Sequence, residues 1–206
     1  MNVFGGFAAP LTPNIESYLA ALPRGLASYP ECVHKGEPLG VWLQRSPLRD
    51  VARLVPTAVA PLLDRHRPLP TWVPDVHANV IYMAIRQACF ADDAGFLAHA
   101  RECNRAVLET PTNRLLFWAA TPRAILRAAS LRWGSLHRGS NIDVRFARDN
   151  SAEVVLTFPR FLYPEIVLRG NATGFQAAVE NTGARDVEAH LRSMEPTRAT
   201  FVGRWR

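Results

Sequence analysis

The feature that most constrains the fold is a change of hydrophobic period near residue 140. Before it, most of the 16 prolines divide the chain into short segments whose apolar residues recur at helical spacing. After it, Ile142, Val144 and Phe146 alternate with polar residues, which is the period of a half-buried strand. Helices followed by strands, instead of helices alternating with strands, indicate an α+β fold.

Prolines and capping residues set the bounds of the predicted elements before residue 121. We predict short helices over residues 15–28, 37–45, 47–55 and 56–66, a long helix from Asp75, another helix over residues 92–109, and further helical chain over residues 112–120. Asp75 is interpreted as the N-cap of the long helix, because its carboxylate suits the free backbone N–H groups of a first turn. The proline-rich segment 67–74 is interpreted as an extended connector.

Two hairpins separated by a helix are predicted in the last part of the chain. We predict a helix from Pro122, capped by Thr121, to about Leu136, a hairpin over residues 141–159, a short helix over residues 171–182 and a second hairpin that turns at residues 195–197. This order is helix-hairpin-helix-hairpin. It predicts a helical N-terminal half packed on a C-terminal four-stranded antiparallel sheet.

Length and composition predict one folded domain. The chain has 206 residues with 48% hydrophobic and 20% charged content, which suffices for a sizeable core. We therefore predict a single domain over residues 1–206, with a mainly helical half over residues 1–120 and an α+β half over residues 121–206. Cys32, Cys89 and Cys103 are widely spaced and odd in number, which predicts reduced thiols instead of a disulfide framework.

Charge and hydropathy limit the kinds of binding partner and the cellular compartment that we expect. The net charge of +6 comes almost entirely from arginines that are scattered along the chain, so we predict a solvated basic surface and no nucleic-acid partner. No apolar run approaches the roughly 20 residues of a membrane-spanning helix, which predicts no membrane partner. The opening MNVFGGFAAPLTPN has no basic residue before its apolar patch, so no secretory signal is predicted and the expected location is cytoplasmic.

The segment YPECVHKGEP concentrates the reactive residue types. It holds Cys32, His34 and Lys35, the only lysine of the chain. A structural zinc site needs four ligands, and the neighbouring sequence does not supply the remaining two. The segment is interpreted as a turn that leads into the helix GEPLGVWLQ. The chain also lacks GxSxG, GxGxxG and P-loop motifs, so we predict no catalytic residue, no metal and no cofactor.

The aromatic residues favour a binding function. A helix laid on a small sheet and covered by a helical half leaves an apolar cleft between the layers. Either the aromatic side chains fill the core, or they line a cleft for a small apolar or aromatic ligand. On the second interpretation we predict a non-catalytic small-molecule-binding or sensor module. Its predicted ligand-binding residues are Trp118, Trp133, Phe158, Tyr163, Phe175 and Trp205, with Arg127 or Arg132 orienting an acidic group.

Two alternative functions stay open at this point. The first is a protein-interaction regulator or immunity-type partner, which docks through the basic face Arg123, Arg127 and Arg138 or forms a homodimer. The second is an enzyme of the cyclase or isomerase kind, which works in an apolar cavity with few polar groups. That enzyme needs a buried titratable residue, for which the candidates are His99, His137 and Glu102.

Several segments carry a resemblance to known families. LRWGSLHRGSNIDVRF, LTFP, GFQAAVENTGARDVEAHL and RATFVGRW resemble the close of a set of paralogous, uncharacterised cytoplasmic proteins of myxobacteria. YPECVHKG resembles the YP-x-x-x-x-KG-like element near the start of those proteins. The element order is similar to the vinyl-reductase-type small-molecule-binding domain and, more distantly, to haem nitric-oxide-binding domains. The resemblance implies a small-molecule-binding domain. No cysteine follows Cys103 and no histidine matches a haem-ligand motif. The resemblance therefore implies neither a metal-binding role nor bound haem for this chain.

Overall fold

Helices dominate the first half of the chain in the computed structural model, which describes residues 14–109, 120–147 and 150–206. The helices are α1 (Ile15–Ala21), α2 (Gly36–Arg45), α3 (Leu48–Val51), α4 (Asp75–Cys89), α5 (Asp93–Leu108), α6 (Pro122–Leu136) and α7 (Glu165–Glu180), with 3-10 turns at Gly25–Ala27 and Ala60–Leu63. Within the described ranges, no helix has the length and apolar character needed to cross a membrane. The predicted helical segment 112–120 lies largely outside the described residues.

Two antiparallel sheets complete the fold and confirm the predicted α+β class. The strands are β1 (Val33–Lys35), β2 (Trp72–Pro74), β3 (His137–Arg138), β4 (Asn141–Phe146), β5 (Ser151–Thr157), β6 (Glu188–Glu195) and β7 (Arg198–Arg204). The larger sheet has the order β4-β5-β7-β6, with α6 before its first hairpin and α7 between its two hairpins. This is the predicted helix-hairpin-helix-hairpin order.

In the register of the larger sheet, apolar residues of neighbouring strands lie side by side. Val154 pairs with Val144 on one side and with Phe201 on the other. Val154 and Phe201 are buried, as are Ala152 and Leu156 on the same side of β5, so this side of the sheet faces the core. Helices α6 and α7 pack against this sheet, and α7 also packs along α5, so α7 lies between the sheet and the N-terminal helices.

A second, three-stranded sheet is a correction to the prediction for the N-terminal half. It has the order β2-β1-β3, and His34 of β1 pairs with Val73 of β2 and with His137 of β3. The segments interpreted as a turn and as an extended connector therefore contain strands. Strands of two or three residues are too short to show a period of two, and their partners lie far apart in the sequence.

Several predicted helix bounds were wrong for identifiable reasons. The helices predicted over 47–55 and 56–66 shrink to α3 and the 3-10 turn Ala60–Leu63, because closely spaced prolines stop each one. Helix α7 begins at Glu165, directly after Pro164, and not near residue 171. Its first turn carries three consecutive buried apolar residues, so it shows no helical alternation of apolar and polar positions.

Candidate functional site

A cavity of about 260 Å³ lies between the N-terminal helices and the C-terminal part of the fold. Its walls come from β1, α2, α4 and α5 on one side and from α6, β3 and α7 on the other. The residues that line it include His34, Lys35, Trp42, Asp75, Tyr82, Phe96, Asn104, Trp133, His137, Tyr163 and Phe175. Because both halves of the chain contribute, the cavity exists only when they are packed together.

A hydrogen-bonded chain forms the polar end of the cavity. Nδ1 of His34 lies 2.7 Å from Oδ1 of Asp75, and the hydroxyl of Tyr163 donates to Oδ2 of the same carboxylate at 2.9 Å. All three residues are buried, and Asp75 is only 1% exposed. Burial and the nearby carboxylate raise the pKa of Tyr163 well above its usual value, so its hydroxyl keeps the proton that it donates.

The backbone places Asp75 at this end of the cavity. Pro74 ends β2 and occupies the N-cap position of α4, so Asp75 is the first helical residue. Its backbone N–H donates to the carbonyl of Cys32, just before β1. The predicted N-cap role of Asp75 was therefore wrong, because its carboxylate is committed to His34 and Tyr163 across the cavity.

His137 stands beside His34 on the same face of the small sheet. The two residues are paired across β1 and β3, and their ring centroids are 5.9 Å apart. The His137 ring stacks on Trp133 at 3.9 Å, and Trp133 Nε1 donates to the hydroxyl of Ser140. Burial first, and then His34, lower the pKa of His137 to about 4, so this imidazole is neutral at physiological pH.

Two ring nitrogens at the polar end have no partner among the described residues. Nε2 of His34 and Nδ1 of His137 are buried and make no hydrogen bond to any described residue. A buried, unpaired polar atom costs free energy that a bound ligand can recover. No group of three histidine, cysteine, aspartate or glutamate side chains in the described ranges is arranged to hold a metal ion.

Aromatic side chains form much of the remaining wall. Trp42 of α2 contacts Tyr82 of α4 at 4.9 Å and Phe96 of α5 at 5.6 Å between ring centroids. Phe175 of α7 also lines the cavity and packs edge-on against Phe201 of the large sheet. Much of the wall is therefore apolar and aromatic, and a few polar side chains complete it, as in small-molecule pockets.

The structure brings together some of the predicted ligand-binding residues and separates others. Trp133, Tyr163 and Phe175 line the cavity. Phe158 packs edge-on against Tyr163, at 5.1 Å, and is not among the lining residues. Trp205 lies elsewhere, in a separate apolar cluster with Leu126, Ala152 and Val179.

The predicted arginines lie away from the cavity, and one predicted tryptophan lies outside the described residues. Arg127 is exposed and its guanidinium lies 5.6 Å from the ring of Phe146, beside the large sheet, and Arg132 is also exposed. Neither arginine is among the lining residues. Trp118 lies outside the described residues.

Of the residues predicted for the two alternative functions, His137 lines the cavity and the others lie elsewhere. His99 contacts the hydroxyl of Ser46 and the thiol of Cys103 and is not among the lining residues, and Glu102 is exposed. The helix assigned to the basic face ends at Leu136, so Arg138 belongs to β3, where its guanidinium lies 4.0 Å from the ring of Trp72. Arg123, Arg127 and Arg138 therefore do not share one helix face.

Sequence reasoning missed the central pair of the site. His34 was interpreted as part of a turn, and Asp75 was interpreted as a cap. The one local signal was that Pro74 precedes Asp75, because a proline in the capping position leaves the aspartate free for another contact. The pairing itself joins residues 41 positions apart, and no local pattern reports it.

The fold is similar to that of H-NOX domains. The Fe(II) unliganded H-NOX protein from K. algicida matches with a TM-score of 0.57 at 9% identity, over 84% of this chain and 96% of that one. An H-NOX protein solved to study the mechanism of H-NOX activation matches with a TM-score of 0.55 at 13% identity, over 84% and 96%. A third, from a study of haem distortion in the H-NOX family, matches with a TM-score of 0.53 at 12% identity, over 84% and 95%.

These similarities establish the fold and not the function. No protein-family profile and no curated protein sequence matches this chain. The resemblance to the paralogous myxobacterial proteins therefore stays a prediction, whereas the more distant resemblance, to haem nitric-oxide-binding domains, is confirmed at the level of the fold. The chain has an H-NOX-like α+β fold.

Proposed function

We propose that this chain is a non-catalytic small-molecule-binding sensor module of the cytoplasm whose ligand occupies the cavity between its two halves. One observation carries the proposal: an aromatic-walled cavity of about 260 Å³ is lined at one end by His34 and His137, each of which has a buried ring nitrogen with no partner among the described residues. Pockets that bind small molecules combine an apolar wall with a few convergent polar groups. The resemblance to vinyl-reductase-type binding domains supports the same role.

The name of the similar domains raises haem as a ligand, and the cavity bounded by the described residues is small for it. An engineered cavity of about 150 Å³ holds one benzene ring. A cavity of about 260 Å³ is less than twice that size, whereas a porphyrin joins four pyrrole rings. In addition, Asn104 of α5 lines the cavity, and its amide already donates to the carbonyl of Gly170 and the hydroxyl of Thr173. This side chain is therefore committed to the protein and does not offer a ligand to an iron atom.

Native mass spectrometry of the purified protein tests the proposal. We expect a small molecule that is retained under native conditions and lost on denaturation. Trp133→Ala should lose it, because this ring lines the cavity and supports His137. Trp205→Ala is the matched control, because it removes an equally large side chain from the separate cluster. Equal ligand retention by the two variants would contradict the assignment of the cavity.

One observation favours an enzyme as a second candidate. The carboxylate of Asp75 orients the imidazole of His34, whose other nitrogen carries no partner, and this is how a general base is held. On this proposal the catalytic candidate is His34, beside the predicted candidate His137, and not His99 or Glu102. Solvent deuterium that enters the retained ligand during incubation, and fails to enter with His34→Ala, would favour proton transfer over binding alone.

A further inference from the structure

The three-stranded sheet carries different side chains on its two faces. His34 of β1 pairs with His137 of β3, and both residues line the cavity. Because successive side chains of a strand point to opposite faces, Lys35 and its cross-strand partner Trp72 lie on the other face. Arg138, the residue after His137 on β3, lies on that face as well. This second surface adjoins the cavity at Lys35, which is also a lining residue.

Two cations of this second surface converge on one indole ring. Nζ of Lys35 lies 4.4 Å and Cζ of Arg138 lies 4.0 Å from the centroid of the Trp72 ring. Each cation is attracted by the electrons of the ring face. The three residues come from three different strands, so the register of the sheet holds them together. We call Lys35, Trp72 and Arg138 the cation cluster.

The cation cluster has no carboxylate partner among the described residues. Neither Lys35 nor Arg138 forms an ion pair there, and Glu37, the carboxylate nearest to Lys35 along the chain, is exposed and pairs with neither. On the large sheet, by contrast, Arg192 and Arg204 each pair with a glutamate of that sheet. Like charges held close together repel, so an anion that contacts both cations is stabilised at this point.

Apolar side chains on the same face favour a protein as the partner. Val33 and Pro74 are paired across β1 and β2, lie on the face of Lys35 and are half-buried, as is Trp72. Aromatic and arginine side chains are enriched at protein–protein interfaces. Recognition of an anionic membrane takes clusters of about four to eight basic residues, and nucleic acid takes a longer basic stripe. This face offers only Lys35 and Arg138 among the described residues of the small sheet.

We propose that the cation cluster is a docking surface for an acidic segment of a partner protein. Carboxylates of that segment contact Lys35 and Arg138, and its apolar side chains pack on Trp72. The inference goes beyond the proposed function, because it concerns the face of the small sheet opposite the two histidines of the cavity. It also differs from docking through a basic helix face, since Arg138 acts together with Lys35 and not with Arg127 of α6.

Fluorescence anisotropy with a labelled acidic peptide tests the proposal. At low salt, a peptide of glutamate and leucine should bind the chain more tightly than the matched peptide in which glutamine replaces every glutamate. Lys35→Gln and Arg138→Gln should each weaken binding of the acidic peptide by about two- to fivefold, the loss expected for one partly exposed ion pair. Lys35→Arg should retain binding, because it keeps the charge.

Arg127→Gln is the matched control, because it makes the same change of charge at an exposed arginine of α6. It should leave the affinity unchanged. Equal losses in Arg127→Gln and Arg138→Gln would overturn the proposal, since the peptide would then respond only to overall charge. Equal affinity for the two peptides would also overturn it.

Phosphatidylserine vesicles test the other class of anionic partner. Binding to these vesicles without binding to the acidic peptide would assign the cation cluster to a membrane surface and overturn the proposal. If Lys35→Gln does not fold, Arg138→Gln, at an exposed position, still decides the result. The peptide experiment does not involve the ligand of the cavity, so this inference and the proposed function can fail independently of each other.

Discussion

At the scale of single residues, Asp75 holds the polar end of the cavity. Its carboxylate accepts from His34 and Tyr163 with almost no exposure to solvent. Asp75→Ala leaves the buried His34 without its partner and removes the acceptor of the Tyr163 hydroxyl, so we expect the free energy of unfolding to fall by about 3–5 kcal/mol in urea titrations. Asp143→Ala breaks an exposed ion pair with Arg145 and should cost less than about 1 kcal/mol. Equal losses would contradict the role given to Asp75.

The imidazole of His137 makes stability depend on pH. Its pKa is lowered by burial to about 4, below the usual value of about 6.5. Between about pH 4 and pH 6.5, the imidazole of His137 binds a proton in the unfolded chain but not in the folded chain. The free energy of unfolding should therefore fall as the pH drops from about 6.5 to about 4, by up to about 1.4 kcal/mol per pH unit from this residue.

Substitution of His137 tests that contribution. His137→Phe keeps an aromatic ring against Trp133 but has no proton to bind. Urea titrations across this pH range should give a shallower loss of stability for the variant than for the wild-type chain. His190→Phe, at an exposed position on β6, should follow the wild-type slope. Parallel slopes for His137→Phe and the wild-type chain would refute the linkage.

At the scale of elements, Gly36 joins β1 to α2 where the backbone approaches the loop before β2. A Cβ at this position would fall far inside contact distance of the Pro70 carbonyl oxygen. Because that oxygen belongs to the backbone and moves only with its loop, Gly36→Ala should destabilise the fold by about 1–3 kcal/mol.

Gly134 provides the matched control for this substitution. It lies within α6, and a Cβ there would meet no atom within 4 Å. Gly134→Ala should stabilise the chain by about 0.5–1 kcal/mol, because alanine favours the helix and costs less backbone entropy. Thermal unfolding of the two variants measures both effects. A loss of stability in Gly134→Ala as large as that in Gly36→Ala would contradict the assigned cause.

The element order was predictable because its signals are local. Thr121 accepts from the backbone N–H of Ala124, as a capping residue should, and α6 begins at Pro122. The second hairpin turns between Glu195 and Arg198, where the sequence places a proline. The small sheet was not predictable, because its strands of two or three residues carry no period and pair with distant segments.

At the scale of the whole molecule, ligand binding should be insensitive to salt. A neutral ligand in an apolar cavity forms no ion pair for salt to screen, so its affinity should stay constant when ionic strength rises from low to high. Arg127→Gln should also leave it unchanged, because this arginine lies beside Phe146 and is not a lining residue. Titrations at two salt concentrations measure both effects. A strong decrease with salt would favour a charged ligand or the basic-surface alternative.

The sequence by itself determined the class of fold and the order of its elements. Hydrophobic period, caps and prolines act within a few residues, so they report helices and hairpins such as α6 and the β6–β7 pair. It also supplied three aromatic residues that line the cavity, Trp133, Tyr163 and Phe175. It did not show which of the other aromatic residues, such as Phe158 and Trp205, lie elsewhere.

Only the tertiary structure decided where the polar end of the cavity lies. Asp75 meets His34 across 41 positions and Tyr163 across 88, through the small sheet and the start of α4. A buried polar contact of this kind is stable only when distant segments exclude water around it. For this reason its residues look like a turn and a helix cap in the sequence, and their shared site appears only when the two halves pack together.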